Sequence, residues 1–298
     1  MMGKRYKSPQ LACGSALFEW GQRTYVMGII NASPDSFSGD GLQSVEAAVR
    51  QGIQFAAEGA DILDIGGEST RPASTARRER RKFGAAGGTT ASLQSVDEEL
   101  SRVLPVIERL VNEVSIPISV DTYKSQVADR AVEAGASMIN DVWGLTADPD
   151  IARVAAEHNV ALVLMHNQET IKYNDLMVDV SSGLQKSAEK ALSVGVPPDQ
   201  IILDPGFGFG KTPRHNLMLL RKLGELDTSG YPLLVGTSRK STIGLVLDLP
   251  ANERLEGTAA TVTLSIVGGA DIVRVHDVRE MVRVARMTDA VWRNWMDE

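Results

Sequence analysis

Short apolar runs recur along the chain, and each is followed by a segment with the periodicity of an amphipathic helix. The runs cover residues 24–30, 60–66, 116–121, 136–141, 160–166, 200–206, 232–238 and 271–277. They are almost continuously apolar, which is typical of parallel strands buried on both faces. Between them the helical spacing is clear, for example where Val45, Val49 and Ile53 share one face. The pattern predicts a series of β/α units.

These units predict an α/β protein with the (β/α)₈ fold, a TIM barrel, for which 298 residues is an ordinary length. The main alternative is a doubly wound open sheet, which usually carries a glycine-rich phosphate-binding turn after its first strand. Here the first strand is followed by "NASPDSF", which is not such a turn. We therefore expect one barrel domain over residues 1–298, with an N-terminal hairpin that turns at Gly21-Gln22 and closes the barrel floor.

One segment departs from this alternation. Residues 73–95 are polar, then strongly basic in the run "ARRERRK", and then rich in glycine. The composition predicts an extended mobile loop inside the domain rather than a boundary between domains. The basic run either attracts anionic substrates or is a solvated stretch without a role, and a charge run by itself favours the second interpretation.

The overall composition narrows the class of partner. The formal net charge is −7 and the pI is about 5.3, whereas a nucleic-acid-binding face is usually basic. Cys13 is the only cysteine, which excludes a disulfide framework and a cysteine-based metal cluster. The apolar run at residues 11–18 is broken by Gly14 and Ser15 and ends at Glu19, so we expect neither a signal peptide nor a transmembrane span. We expect a cytoplasmic protein that acts on small molecules, with neither nucleic acid nor membrane as a partner.

Polar residues stand where the predicted strands end, and in a TIM barrel those ends form the mouth that carries the chemistry. They are Asn31, the stretch 66–72, Asp121, Asn140, Asp141, His166, Asp204, the stretch 238–241 and the stretch 274–277. Taken singly, such residues are ordinary loop or capping residues, and Asp141 and Asp277 are interpreted as helix N-caps. Taken together, they would converge on one cavity, where the cost of desolvating them indicates a ligand.

This set of polar residues combines two kinds of chemistry. Carboxylate and amide groups, which suit a flat heterocycle rich in N–H donors, come from Asp121, Asn140 and Asp204. Cationic or proton-donating groups, which suit phosphate, come from Lys240, Arg274 and His276. Together they predict a planar polar ring that bears a phosphate ester. A zinc hydrolase is excluded, because the four histidines show no H-x-H or H-E-x-x-H spacing.

The stretch "ILDPGFGFGKT", residues 202–212, ends like a phosphate-binding P-loop, G-x-x-x-x-G-K-[ST]. Pro205 takes the place of the first glycine, and proline has no backbone N–H to offer a phosphate. The glycines therefore indicate either a damaged nucleotide site or a loop that turns sharply for another purpose.

Seven segments, in order from about Met27 to Val278, resemble the dihydropteroate synthases of bacterial folate synthesis. They are "MGIINASPDSFSGDG", "ILDIGGESTRP", "ISVDTYKSQVADRAVEAGASMINDVWG", "LVLMHN", "ILDPGFGFGKT", "VGTSRKSTIG" and "IVRVHDV". The resemblance implies a transferase, of a class that sulfonamides target, that joins 6-hydroxymethyl-7,8-dihydropterin pyrophosphate to p-aminobenzoate. The products would be 7,8-dihydropteroate and pyrophosphate. The resemblance also implies a homodimer and a magnesium ion. For the glycine-rich stretch 202–212 it favours a loop that turns sharply, which would close over a pterin held by Asp204.

The family motifs imply roles for particular positions of this chain. The implied pterin ligands are Asp121, Asn140 and Asp204, with Lys240 and Arg274 near the ring. The implied pyrophosphate ligands are Asn31, Arg274 and His276, with Mg²⁺ between Asn31 and the phosphate oxygens. The residues implied at p-aminobenzoate are Thr70, Arg71, Pro72, Phe209, Lys240 and Ser241. Those implied in catalysis are Asp121, Lys240, Arg274 and His276.

The chain departs from the family pattern in a few places. Ser33 stands where threonine is more usual and keeps a hydroxyl group. "LMHN" differs after the histidine, so His166 is interpreted either as a ligand or as a packing residue. Two alternatives remain open: a pterin-binding methyltransferase that uses methyltetrahydrofolate, and a non-catalytic pterin-binding paralogue. "GGESTRP" and "SRKS" favour the synthase, because the methyltransferase has no pyrophosphate or p-aminobenzoate to hold.

Overall fold

The computed structural model describes residues 6–32, 41–68 and 94–293. The strands in these ranges are β1 (Gln10–Cys13), β2 (Ala16–Glu19), β3 (Tyr25–Asn31), β4 (Ile62–Gly66), β5 (Ile118–Asp121), β6 (Met138–Asp141), β7 (Ala161–Met165), β8 (Ile201–Asp204), β9 (Leu234–Val235) and β10 (Ile272–Val275). The helices are α1 (Gly41–Ala57), α2 (Val96–Glu113), α3 (Ser125–Glu133), α4 (Asp150–His158), α5 (Leu176–Ser193), α6 (Pro213–Arg221), α7 (Ser241–Leu247), α8 (Leu255–Val267) and α9 (Val278–Trp292). Within the described ranges, no helix is long and apolar enough to cross a membrane.

Strands β3 to β10 form a parallel barrel. Their order is β8-β7-β6-β5-β4-β3-β10-β9, and a parallel bridge between Leu203 and Leu233 joins the two end strands. Every predicted strand is present, and helices lie between the strands, so the TIM-barrel prediction is confirmed. The assignment of residues 1–298 to a single domain stays a prediction, because it includes residues outside the described ranges.

Alternate residues of each strand face the helices or the barrel axis, because successive side chains of a strand point to opposite faces. The outward residues, such as Leu63, Val120 and Leu203, pack in a large apolar cluster with residues of the surrounding helices. A second cluster, here called the barrel floor, joins the N-terminal hairpin to inward residues at the strand starts. Its strand members are Tyr25, Met27, Ile62, Met138, Ala161, Val163, Ile202, Leu234 and Ile272.

The N-terminal hairpin is formed by β1 and β2, and it covers the barrel floor. Leu11 lies opposite Phe18 in the antiparallel register, and both side chains are buried in the floor cluster. The expected hairpin is confirmed, but its predicted turn at Gly21-Gln22 is wrong. The chain reverses at Gly14-Ser15, where Gly14 adopts a φ of +56°, because this register brings the two apolar side chains together on the inward face.

Candidate active site

At the mouth of the barrel the inward positions change from apolar to polar. Three predicted residues each lie two positions after a floor residue of their own strand: Asn140 on β6, Asp204 on β8 and Arg274 on β10. A step of two residues returns to the same face of a strand, so these side chains point into the mouth. Asp121 ends β5 and pairs in register with Asn140. The structure therefore brings these four predicted site residues together.

Arg274 is the electrostatic centre of this group. Its Nε donates to Oδ2 of Asp64 at 2.6 Å, and its Nη2 donates to Oδ2 of Asp121 at 2.6 Å. The amide nitrogen of Asn140 donates to the same oxygen of Asp64 at 3.1 Å. A planar guanidinium can serve two carboxylates in fixed directions, which the single ammonium of a lysine does less well. Arg274 thus ties β4, β5 and β10 together across the barrel.

Asp64 is a site residue that the sequence analysis missed. It is completely buried, and its register neighbour on β5 is Ser119, whereas Gly66 is the neighbour of Asp121. It therefore lies one layer deeper than the strand ends, which were the positions considered. A signal was present in "ILDIG": a carboxylate two residues after the floor residue Ile62 cannot be buried without a partner.

Two carboxylate oxygens in the mouth have no hydrogen-bond partner within the described part of the chain. They are Oδ1 of Asp64 and Oδ1 of Asp121, and both are buried. Burial raises the pKa of Asp121 to about 7, although the guanidinium of Arg274 opposes the shift. Burial also raises the pKa of Asp204 to about 6, although the hydrogen bond that the backbone N–H of Gly206 donates to this carboxylate opposes the shift. The site keeps acceptors buried at a cost, which a ligand rich in N–H donors would relieve.

The glycine-rich loop after β8 turns sharply at the mouth. Gly206 has a φ of +71°, and a Cβ at this position would lie 2.0 Å from the carbonyl oxygen of His166. The nitrogen of Gly206 donates to Oδ1 of Asp204 at 2.7 Å. Lys211 turns inward and donates to carbonyl oxygens of its own loop. In a P-loop the lysine and the N–H groups face a phosphate, so this loop is a sharp turn and not a nucleotide site.

His166 lies on the inner side of the same loop. Its Nδ1 is 3.1 Å from Nζ of Lys211, and a Cβ at Gly183 of α5 would lie 2.6 Å from its Cδ2. Burial, with the charge of Lys211, lowers the pKa of His166 to about 3. The ring is therefore neutral at pH 7, and its contacts favour the interpretation of His166 as a packing residue.

Phe209 and Lys240 meet at the rim, between the loop after β8 and the start of α7. Nζ of Lys240 lies 4.1 Å from the centroid of the Phe209 ring, which is a cation–π distance. A Cβ at Gly208 would lie 3.1 Å from Cδ of Lys240, so the two segments are in close contact. Ser241 follows directly as the first residue of α7. These residues, predicted at p-aminobenzoate, form one continuous edge of the mouth.

His276 and Asn31 stand at other points of the rim. Oγ of Ser238 lies 3.0 Å from Nδ1 of His276 and orients the ring. Asn31 ends β3 beside Gly66 of β4, and its side chain is exposed. The predicted residues Thr70, Arg71 and Pro72, together with Ser33 and residues 73–93 of the unusual segment, lie outside the described residues.

The two predicted helix caps have different outcomes. Asp277 does occupy the N-cap position of α9, but its carboxylate makes no capping hydrogen bond and pairs instead with the guanidinium of Arg239, a stronger charged partner. The prediction for Asp141 is wrong. Asp141 accepts the backbone N–H groups of Trp143 and Leu145 at 2.8 and 2.6 Å. It therefore closes a turn, since no helix begins directly after β6.

Comparison with known proteins defines the class to which this barrel and its mouth belong. The family model described as pterin binding enzyme matches residues 27–83 and 84–276. The chain therefore belongs to the family of pterin-binding enzymes.

The similar proteins narrow the class further. The dihydropteroate synthase of Bacillus subtilis is 52% identical over 271 residues, which are 91% of this chain and 89% of the relative. The solved structure of the Clostridium difficile dihydropteroate synthase, in the presence of pteroic acid, has a TM-score of 0.85 at 47% identity and covers 93% of this chain and 99% of that chain. The Xanthomonas albilineans enzyme with 4-aminobenzoic acid has a TM-score of 0.84 at 41% identity, with coverages of 96% and 98%.

Within the family, these relatives identify the function of the chain as that of the dihydropteroate synthases, transferases of folate biosynthesis. The resemblance given by the seven sequence segments is thereby confirmed. The methyltransferase alternative and the non-catalytic alternative are not supported by the similar proteins.

Proposed function

We propose that the mouth of the barrel binds 6-hydroxymethyl-7,8-dihydropterin pyrophosphate and p-aminobenzoate and joins them through the residues described above. The observation that supports this assignment is the pair of buried, unpartnered oxygens of Asp64 and Asp121 beside the guanidinium of Arg274. Two of the similar structures were solved with pteroic acid and with 4-aminobenzoic acid. The products are 7,8-dihydropteroate and pyrophosphate.

The pterin ring lies over the buried polar group in this proposal. Asp121 and Asp204 accept hydrogen bonds from ring N–H groups, and such charged acceptors bind more strongly than neutral ones. The amide of Asn140 is held in place by its bond to Asp64, which fixes the direction in which it meets the ring. Because donors from the ring favour ionised carboxylates, pterin binding lowers the raised pKa of Asp121.

Magnesium fits this site as a companion of the substrate pyrophosphate. No group of three His, Cys, Asp or Glu side chains within the described ranges is arranged to hold a metal ion. Asn31 offers one exposed amide oxygen at the rim, and Mg²⁺ commonly takes one or two protein oxygens, with phosphate and water as the others. Asn31 would hold the ion, which supplies positive charge for the leaving pyrophosphate.

Charge development determines how the chain's residues act. As the bond between the methylene carbon and the pyrophosphate oxygen breaks, positive charge grows on the carbon and is stabilised by Asp121 next to the ring. Arg274 and His276 stabilise the departing anion. Phe209 and Lys240 hold p-aminobenzoate, with its carboxylate near Ser241, so that its amine forms the new C–N bond and then loses a proton. No covalent bond to the protein forms.

The direct test of this function is product formation by the purified protein. With the pterin pyrophosphate, p-aminobenzoate and Mg²⁺, pyrophosphate and dihydropteroate should appear in equal amounts, and omission of p-aminobenzoate should abolish dihydropteroate. Binding of the pterin pyrophosphate without any turnover would instead support a non-catalytic pterin-binding protein. Methyl transfer from methyltetrahydrofolate would support the methyltransferase.

We also propose a cytoplasmic homodimer. The adjacent helices α8 and α9 expose apolar side chains, with Leu264 52% exposed and Met287 and Val291 65% and 68% exposed. A second copy of the chain would cover this surface. With Cys13 as its single cysteine the chain has no disulfide framework, which is typical of proteins in a reducing compartment. Sedimentation of the wild type and of Met287→Asp tests the dimer: a dimer that the charge converts to a monomer supports it, and a wild-type monomer contradicts it.

A further inference from the structure

A lysine without a role in the proposed reaction is buried within the glycine-rich loop itself. Lys211 is only 8% exposed. Its Nζ lies 3.1 Å from Nδ1 of His166 and 3.4 Å from the carbonyl oxygen of the same residue. It also lies 3.1 Å from the carbonyl oxygen of Gly206 and 3.2 Å from that of Phe209. An ammonium group has three N–H donors, so the acceptors within reach are enough to use them all.

These acceptors belong to two different loops. His166 follows β7, whereas Gly206 and Phe209 follow β8. The two loops are pressed together, since a Cβ at Gly206 would lie 2.0 Å from the carbonyl oxygen of His166, and one at Gly210 would lie 2.5 Å from that of Gln168. Buried carbonyl groups that converge in this way require donors. Lys211 supplies both the donors and a positive charge at the contact.

We propose that Lys211 is a positioning residue for p-aminobenzoate, because it cross-links the loops after β7 and β8 and so fixes the ring of Phe209. This inference rests on the proposed function, which gives Phe209 its contact with that substrate. The carbonyl of Phe209 is held by Lys211 and its ring lies under the ammonium of Lys240. Asp204 depends less on the cross-link, because strand pairing with β7 holds its backbone.

The charge of Lys211 adds a pH-dependent signature. Burial lowers its pKa to about 7, with Lys240 adding to the shift and Asp204 opposing it, so the cross-link loses its charge as the pH rises through 7. Among the groups next to Lys211, the pKa of His166 is lowered to about 3, that of Asp204 is raised to about 6, and that of Tyr173 is raised further above its usual value. Asp121 in the mouth, with its pKa raised to about 7, titrates in the same range as Lys211, so the pH test needs a variant that keeps Asp121 and changes only Lys211. The charged neighbours that face this cluster are Asp204, Lys240 and, through His166, Asp179.

The test compares Lys211→Met and Lys211→Arg with the control Lys186→Met, an exposed lysine of α5. Lys211→Met should raise the KM for p-aminobenzoate about tenfold, as expected for lost hydrogen bonds, and change the KM for the pterin pyrophosphate by less than about threefold. The control should match the wild type. In the wild type the KM for p-aminobenzoate should rise between pH 6.5 and pH 8.5, and in Lys211→Arg, which keeps the charge of the cross-link while Asp121 still titrates, the rise should be smaller; an equal rise in both would contradict the role of the charge.

A purely structural role would give a different result. Equal increases in both KM values, or a lower kcat with both KM values unchanged, would overturn the inference. A wild type that forms no dihydropteroate would overturn the proposed function instead, so the two failures are distinguishable.

A second pair of variants keeps the inference testable if Lys211→Met does not fold. His166→Asn retains a hydrogen-bond acceptor near the position of Nδ1, whereas His166→Leu removes it. We expect the KM for p-aminobenzoate to rise several-fold, roughly threefold or more, only in the leucine variant. The same KM in both variants would show that the Lys211–His166 bond does not position this substrate.

Discussion

The two ends of the barrel are built on the same strands but differ in the charge that they bury. On β6 the floor residue is Met138 and the mouth residue is Asn140; on β10 the pair is Ile272 and Arg274. The floor cluster is made of apolar and aromatic side chains, and the buried amide beside it, that of Gln200, donates to the carbonyl oxygen of Ala12 in the hairpin. The mouth buries carboxylates around one guanidinium and leaves two of their oxygens without partners. Stability is thus gained at one end, and part of it is given up at the other for binding.

This difference predicts opposite responses to substitution. Changes in the floor should lower the free energy of unfolding and leave the KM values alone. Changes in the mouth should alter binding and turnover, and they should lower stability only where they leave a buried charge without its partner.

Arg274→Met should have the largest effect, because it acts on both properties. The substitution leaves the buried carboxylates of Asp64 and Asp121 without their cation, which costs on the order of 3–5 kcal/mol of stability. Turnover should fall by roughly a hundredfold or more, since the leaving anion also loses its charged partner. Denaturant unfolding and steady-state kinetics measure the two effects. Wild-type stability in this variant would contradict the ion-pair network.

Phe18→Ala should show the behaviour of the floor. Phe18 is buried between the hairpin and the strand starts, against the rings of Trp20 and Tyr25, and its removal should cost about 3 kcal/mol of unfolding free energy. At a temperature where the variant remains folded, both KM values should equal those of the wild type. Leu17→Ala is the matched control, because Leu17 lies in the same strand but is 53% exposed. A change in KM would show that the two ends are coupled.

Asp204→Asn should show the behaviour of the mouth. The variant loses a charged acceptor, which should weaken binding of the pterin pyrophosphate by about 1.5–3 kcal/mol, while the free energy of unfolding stays the same or rises. Calorimetry gives the affinity. Asp141→Asn is the control, because Asp141 is also buried near the mouth but its carboxylate accepts hydrogen bonds only from a backbone turn. This variant should have a lower free energy of unfolding and the wild-type affinity for the pterin pyrophosphate. The opposite pattern would assign Asp141 to the site.

Much of the barrel could be predicted from local sequence, because parallel strands buried on both faces leave continuous apolar runs. The position of the hairpin turn could not be predicted in this way, since Gly14 and Gly21 both adopt a positive φ and either could form the turn. Only the pairing of Leu11 with Phe18 places the turn at Gly14. Strand length was also overestimated at β9, where residues 232–238 were predicted; the strand is only Leu234–Val235, with Leu233 before it in an isolated bridge.

The candidate site was predictable where barrel geometry alone places a residue, as at Asp121, Asn140 and Asp204. Asp64 was missed because its partner Arg274 lies 210 residues away along the chain. From the sequence, Lys211 could be interpreted only as part of a nucleotide-binding loop. The acceptors on His166 that surround its ammonium group lie in the loop after β7, which only the fold brings near. A buried charge is explained by its partners, and these are brought near only by the fold.

The smallest expected effect is a pH dependence that belongs to the mouth alone. Burial raises the pKa of Asp121 to about 7 in the folded protein, above the unfolded value of about 3.9. Between these two pH values Asp121 is ionised in the unfolded state but still protonated in the folded state. The folded state therefore binds more protons, and the free energy of unfolding falls as the pH rises. Asp121→Asn removes this contribution.

Relative to Asp121→Asn, the ligand-free wild type should therefore lose about 1–2 kcal/mol more stability between pH 5 and pH 7. Phe18→Ala, a floor variant, should show the same change in unfolding free energy with pH as the wild type. Saturating pterin pyrophosphate should flatten the slope of the wild type, because ring N–H donors stabilise the ionised carboxylate. Denaturant unfolding at several pH values measures all of this, and identical slopes for the wild type and Asp121→Asn would show that Asp121 is already ionised at pH 5 in the folded mouth.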